Sequence, residues 1–283
     1  MTTPSKPIRR EAAVTYSIQT PESIKDRYER EGWFLAPEAL DQDVIARVTA
    51  RVEALSVQER PEVVYEKDGR TVRGIHGCHL FDDVCRRLVR MPALLGLAEE
   101  LLGEPVYVYQ FKVNMKQPGE GAAWPWHQDF AFWSREDGMP ADKAVNIAIL
   151  LDEVHRTNGP LRIIPGSHRQ GLVGAGPDPT PGGGGGDWRK HVSADLEHTV
   201  PDKLAEDLAQ EMGTTLVTGP AGTLYAFHPT IVHASSDNHS ADRRAMLLVT
   251  YNAVSNAPER LTRPEFLVSR DTTPLAAVGT DTL

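Results

Sequence analysis

From Asp41 to Ser56 the apolar residues Val44, Ile45, Val48, Val52 and Leu55 recur every three or four positions, which predicts an amphipathic helix. A shorter helix is expected ahead of it. Thr20 and Pro21 supply an N-cap and a first helical residue, and the helix runs to about Arg30, where Gly32 stops it. The region from Val63 to Leu80 has a mixed pattern with a turn signal at Asp68-Gly69. Two short helices follow, about Asp83 to Val89 and Pro92 to Leu102, with Gly103 closing the second. The apolar period then drops to two. From Val106 to Lys116 the chain reads V-Y-V-Y-Q-F-K-V-N-M-K. On strict alternation Val108, Gln110, Lys112, Asn114 and Lys116 share one face, and Tyr107, Tyr109, Phe111, Val113 and Met115 share the other. Such a polar row lines a cavity or meets solvent, and spacing alone leaves both open. Further strands are expected at Ala144 to Leu151, Leu161 to Pro165, Thr223 to Phe227 and Ala245 to Tyr251, with a short helix at Pro201 to Glu211.

Helices first, then short strands separated by turns such as Asn158-Gly159-Pro160 and Gly219-Pro220-Ala221-Gly222, point to an α+β protein built on a β-barrel or jelly roll. The expected organisation is a single domain over 1–283. It has a mainly helical flank to about 104, a β core at 105–254 and a C-terminal tail at 255–283. Gly171 to Gly186 holds a run of five glycines and several prolines. That composition fits a flexible loop, often a lid, and the stretch carries none of the glycine spacings that cradle phosphate.

Composition narrows the function classes. Of 283 residues, 40% are hydrophobic and 24% charged, with net charge −9, enough for one sizeable core. No basic cluster suggests a nucleic-acid partner, and no apolar stretch approaches the length of a membrane span. The first residues, M-T-T-P-S-K-P-I-R-R-E, lack the apolar run of a secretory signal. Cys78 and Cys85 read as reduced thiols, so the expected location is cytoplasmic. His76, Cys78 and His79 in H-G-C-H lack a fourth ligand at zinc spacing. The sequence leaves the oligomeric state open.

Candidate chemistry concentrates in W-P-W-H-Q-D-F-A-F-W, residues 124–133. In an extended strand His127 and Asp129 face the same way and could meet one metal ion. Most H-x-D pairs are ordinary surface or core residues, so context has to decide. His233, in F-H-P-T-I-V-H-A-S-S, is a candidate third ligand. Two histidines and a carboxylate leave one face of the metal open, the arrangement of non-haem Fe(II) oxygenases. Arg244 opens the apolar run A-M-L-L-V-T-Y; on a strand beside His233 it would aim a planar cationic fork into the same cavity, suited to a 2-oxo acid carboxylate. Arg243 competes with it for the inward position, since alternation admits only one. Rival readings are a zinc hydrolase or cupin-type isomerase and a non-catalytic jelly-roll binding module; neither needs the arginine and the triad together.

The set E-K-D-G-R-T-V-R-G-I-H-G-C-H, V-Y-V-Y-Q-F-K-V-N, W-P-W-H-Q-D-F-A-F-W-S-R-E-D-G-M, N-G-P-L-R-I-I-P-G-S-H, L-L-V-T-Y-N and R-P-E-F-L spans about Val63 to Asp271. It resembles the phytanoyl-CoA dioxygenase-like branch of Fe(II)/2-oxoglutarate oxygenases. Within that branch it is similar to bacterial hydroxylases of free amino acids, free-proline 4-hydroxylase first and ectoine hydroxylase more distantly. The resemblance implies a double-stranded β-helix (jelly roll) with flanking helices, and Fe(II), 2-oxoglutarate and O2 as cofactor and cosubstrates. It implies hydroxylation of an unactivated C–H bond in a small free L-amino acid, giving a hydroxy-amino acid, succinate and CO2. Carried over by position, the metal ligands fall on His127, Asp129 and His233, and the cosubstrate arginine on Arg244 rather than Arg243. Ser235 matches a hydroxyl that helps hold the cosubstrate, and Asn114 and Gln110 match pocket positions. Trp133 matches a walling aromatic, with Phe132 and Phe130 as further apolar wall. Lys112 stands where ectoine hydroxylases carry an arginine and is expected to take the substrate carboxylate. Those hydroxylases read W-H-S-D-F-E-T-W where this chain has W-H-Q-D-F-A-F-W, a departure that weighs against ectoine. Asp129 is a carboxylate where the halogenases of the family replace it, which implies hydroxylation.

Overall fold

The computed structural model describes residues 23–36, 40–174, 187–280 and 283. Helix α1 (Ile24–Glu31) starts at Ser23, whose hydroxyl accepts from the Asp26 amide at 3.0 Å while the Asp26 carboxylate accepts from the Ser23 amide. The expected start at Thr20 and Pro21 lies outside the described residues. Gly32, at φ 72°, ends the helix as expected. Strand β1 (Trp33–Leu35) follows, then α2 (Gln42–Ser56), capped by Asp41 and burying all five of its periodic apolar residues. Each of these stabilises the fold by roughly 1.5–3 kcal/mol. A hairpin of β2 (Val63–Tyr65) and β3 (Val72–His76) turns near Asp68-Gly69, and α3 (Asp83–Leu88) and α4 (Pro92–Leu102) lead into β4 (Val106–Lys116).

The remaining elements are β5 (Trp124–His127), α5 (Asp129–Asp137), β6 (Ala144–Leu150), β7 (Leu161–Ile163), α6 (Asp202–Met212), β8 (Thr215–Val217), β9 (Leu224–Phe227), β10 (His233–Ser235) and β11 (Arg244–Ala253). They make a seven-stranded sheet in the order β1-β9-β6-β11-β4-β3-β2 and a four-stranded sheet in the order β5-β10-β7-β8. Every pairing between these strands is antiparallel. This is the expected jelly roll with helices on the larger sheet. Side chains of α2 and α4 share one apolar cluster with Ile75, Phe111, Val113, Ile147, Leu247 and Val249 on the helix-facing side of that sheet. The polar site lies on its other side.

Three local expectations are corrected. Alternation along β4 breaks at a bulge: Val108 pairs with Tyr251 and Gln110 with Thr250, so Tyr109 is the extra residue. Tyr107 and Tyr109 therefore join the face of Gln110, Lys112 and Asn114, while Val108 sits in the helix-side cluster. Asp129 is not on an extended strand; it opens helix α5, a helix absent from the apolar pattern. His233 and Arg244 are on opposed sheets, not neighbouring strands. The 255–283 segment also packs closely: Leu267 and Val268 are buried, and the Ser269 and Leu275 amides donate to the Tyr109 and Val106 carbonyls at 3.1 and 2.9 Å. The expected lid lies mostly at 175–186, outside the described residues; its leading edge is fixed, with Gln128 donating to the Gly171 carbonyl at 2.7 Å and accepting from the Val173 amide at 2.8 Å.

Candidate active site

Antiparallel pairing sets His127 of β5 directly opposite His233 of β10, and their rings lie 4.1 Å apart between centroids. Just beyond the end of β5, the turn into α5 brings the Asp129 carboxylate to 3.8 Å from His127 Nε2. One ligand atom from each of the three falls within 4.8 Å of the others, and all three residues are buried. The imidazoles are held in one tautomer. His127 Nδ1 lies 2.7 Å from the Pro125 carbonyl and His233 Nδ1 lies 3.0 Å from the Ile231 carbonyl. A carbonyl only accepts, so each Nδ1 carries the proton and each Nε2 lone pair is free for a metal.

Protonation states agree with this. Burial, and then repulsion from His233, hold the His127 imidazolium down to about 3, and burial lowers His233. Burial pushes the Asp129 carboxyl up, but Lys112 and the two imidazoles outweigh it and bring it down to about 2. Near neutral pH the set is two neutral imidazoles and one carboxylate, the forms a divalent metal binds. The donor set therefore fits iron.

Asp129 is held by two further groups. Asn146, completely buried in β6, donates from Nδ2 to Asp129 Oδ2 at 2.8 Å. Thr250 of β11 donates to Asn146 Oδ1 at 2.6 Å, which fixes the amide orientation. Lys112 reaches the same carboxylate at 3.3 Å. Lys112 is thus paired with Asp129 rather than open to a substrate carboxylate, which corrects the expectation placed on it.

One cavity contains the triad together with Asn114, Ser235 and Arg244. Arg244, 1% exposed, donates from Nε and Nη2 to the Gly159 carbonyl at 3.0 and 2.6 Å. Its Nη1 and the Ser235 hydroxyl are buried without a hydrogen-bond partner among the described residues. Two orphaned donors in one cavity are costly unless a ligand accepts from them. Arg243 points away, with ion pairs to Asp152 and Glu53 at 2.8 Å each.

Gln110 lines the cavity, but its Nε2 donates to the Leu267 carbonyl at 2.7 Å. Trp133 and Phe132 both wall it; Trp133 packs edge-on to Tyr109 at 5.3 Å, and Phe132 contacts the His127, His191 and His198 rings. Phe130 is not among the lining residues. His76 lines the cavity as a neutral ring, while His168 instead meets the Glu29 carbonyl near α1. Sequence patterns alone miss Asn146, Thr250, His191 and Arg263. A lone amide in A-V-N-I-A-I-L is the available signal for Asn146, since a fully buried amide needs partners.

The phytanoyl-CoA dioxygenase family model matches residues 28–246. The chain belongs to the phytanoyl-CoA dioxygenase family. It is 58% identical over 262 residues to L-proline trans-4-hydroxylase of Streptomyces griseoviridis, covering 92% of this chain and 96% of that protein. It is 34% identical over 253 residues to the ectoine dioxygenase of Bordetella bronchiseptica, covering 86% and 80%. Among solved structures, EctD from S. alaskensis with 2-oxoglutarate and 5-hydroxyectoine superposes with a TM-score of 0.78 at 27% identity, covering 95% of this chain and 92% of that one. The chain is accordingly an Fe(II)/2-oxoglutarate-dependent dioxygenase with a jelly-roll fold.

Proposed function

We propose that the protein hydroxylates free L-proline at C4, with the trans outcome, using His127, Asp129 and His233 to hold iron and Arg244 with Ser235 to hold 2-oxoglutarate. The observation that carries the site assignment is the meeting, in one buried cavity, of the triad and two donors that lack a partner among the described residues. The proline assignment is supported by the 58% relative, and the ectoine reading is weaker at 34%. Bound iron, 2-oxoglutarate and O2 supply the oxidation that replaces C–H by C–OH, with succinate and CO2 as co-products.

The chain's residues do the rest. Pro125 and Ile231 carbonyls keep both Nε2 atoms aimed inward, and Asn146 with Thr250 keeps the Asp129 carboxylate in place. Arg244 Nη1 and the Ser235 hydroxyl donate to the far carboxylate of the cosubstrate. Asn114 lines the same end of the cavity. Phe132 and Trp133 exclude water beside the triad and give an apolar face to the pyrrolidine ring. A zinc hydrolase or a non-catalytic module leaves the orphaned donors of Arg244 and Ser235 without a purpose. No helix among the described residues is long and apolar enough to cross a membrane. We place the activity in the cytoplasm, a placement supported by the free thiols of Cys78 and Cys85.

The test is incubation of the iron-loaded protein with 2-oxoglutarate and L-proline, with ectoine in parallel, followed by mass spectrometry. A gain of one oxygen on proline, matched by succinate, is the expected result. Oxygen gain on ectoine alone, or 2-oxoglutarate consumption coupled to no amino acid, refutes the assignment.

A further inference from the structure

With Lys112 paired to Asp129, the cavity needs another partner for an amino-acid head group, and β4 indicates where it is. The strand runs along the cavity and orders its contents. Lys116 pairs with Arg244, Lys112 faces Asp129, Gln110 bonds Leu267, and the bulged Tyr109 reaches Asp137 and Arg263. At roughly 3.3 Å per residue, the ends of this row are about 20 Å apart, with the triad between them. The cosubstrate donors occupy one end. At the other end two polar side chains face the cavity and have no task in the chemistry above.

Arg263 is 5% exposed and held rigidly: Nε donates to Asp137 Oδ1 at 2.9 Å, and Nη2 reaches Asp137 Oδ2 and the Tyr109 hydroxyl. None of these bonds uses Nη1. His191 has a side chain only 1% exposed, and neither ring nitrogen has a hydrogen-bond partner among the described residues. Its nearest carboxylates, Glu197 and Glu136, are 3.6 and 4.0 Å away, beyond hydrogen-bond range. An imidazole buried in this state is costly until a ligand bonds to it. Both lie in the same cavity as Phe132, Trp133, Leu196 and Leu267, which wall the space between them and the triad.

We infer that Arg263 and His191 receive the α-carboxylate of the substrate, a task not performed by Lys112. The inference rests on the amino-acid hydroxylase reading. A guanidinium is donor-only, and an imidazole N–H is a second donor, so the pair suits a carboxylate rather than an ammonium group. With the carboxylate anchored at this end, the part of the molecule remote from it faces the triad. Hydroxylation then falls on a carbon away from the α-position.

The experiment compares L-proline with L-prolinamide, which replaces the carboxylate by a neutral amide, on the iron-loaded wild type and on His191→Phe and Arg263→Lys. Losing one charge-assisted hydrogen bond raises the KM for L-proline by about 10- to 100-fold. In both variants the preference for proline over prolinamide narrows, while calorimetric binding of 2-oxoglutarate barely moves. Arg263 also carries the ion pair to Asp137, so if Arg263→Lys does not fold, His191→Phe and the prolinamide ratio decide alone. Unchanged KM and ratio in His191→Phe overturn the carboxylate site while leaving the hydroxylase reading intact. So does a parallel loss of both substrates, which reports shape and not charge. A wild type that hydroxylates no free amino acid overturns the parent reading and this inference with it.

Discussion

Replacing Arg244 by Lys isolates the contribution of the fork. The guanidinium is completely buried, and burial lowers its pKa from the ordinary range to about 10, so it remains charged at neutral pH. Two of its nitrogens are committed to the Gly159 carbonyl, and Nη1 alone is left for a ligand. A lysine has one nitrogen and cannot serve both. Either Gly159 keeps its donor and the cosubstrate loses one, or the reverse. A hydrogen bond to a charged group contributes about 1.5–3 kcal/mol, which converts to a rise of roughly 10- to 150-fold in the 2-oxoglutarate dissociation constant. Lys116 cannot compensate: burial, and then the charge of Arg244, bring its ammonium down to about 6, so it is mostly neutral near pH 7. Arg243→Lys is the control. Its side chain is 25% exposed and its ion pairs face Asp152 and Glu53, so the change should alter cosubstrate binding by less than about fivefold. Isothermal titration of the iron-loaded variants with 2-oxoglutarate measures both. Equal effects, or a larger one from Arg243→Lys, would show that the far carboxylate binds elsewhere.

Single replacement of His127, Asp129 or His233 by Ala should abolish iron binding, read by metal analysis, with a circular dichroism spectrum close to wild type; retained iron in all three refutes the triad. Asn146→Leu removes the donor to Asp129 and should weaken iron affinity by about 10- to 100-fold in chelator competition, whereas an unchanged affinity would mean that Lys112 suffices. Burial is the main cause that depresses His76, His79 and His228, to about 3, 4 and 3. Their unfolded value is near 6.5, so the unfolded chain binds protons that the folded one refuses; stability is full above about 6.5 and falls by roughly 1.4 kcal/mol per pH unit per histidine as pH drops toward 4. Urea unfolding across this window checks it, and a flat profile contradicts it.

Much of the fold and most of the site are legible in the order of the amino acids, and the parts that are not have identifiable causes. Apolar periodicity locates α2, α4, β4 and β11 because each is long enough for a period to register. Strands of three or four residues such as β5, β8 and β10 are too short for that. Alternation places Gln110, Lys112 and Asn114 on one face, but a bulge is a property of strand pairing, so the switch at Tyr109 cannot be read from one strand. The helix at Asp129 is hidden because D-F-A-F-W-S-R-E-D buries most of its surface and shows no clean polar stripe. The family resemblance singles out Lys112 as a substrate partner, yet a motif carries no distances, and the 3.3 Å to Asp129 is what reassigns it. His191 and Arg263 come to the cavity from segments far apart in sequence, and no spacing rule links them.

The placement of Arg244 and Ser235 on opposite sheets bears on how long the protein lasts, apart from what it catalyses. Each layer presents one orphaned polar atom to the gap between them. A dicarboxylate accepting from both is a removable staple between the layers. By mass action, a ligand at a hundred times its dissociation constant adds about 2.7 kcal/mol to folding stability. A cell short of 2-oxoglutarate would then hold more than idle enzyme. It would hold enzyme whose two sheets part more often, exposing the chain to proteases, so that protein abundance itself would follow the supply of cosubstrate.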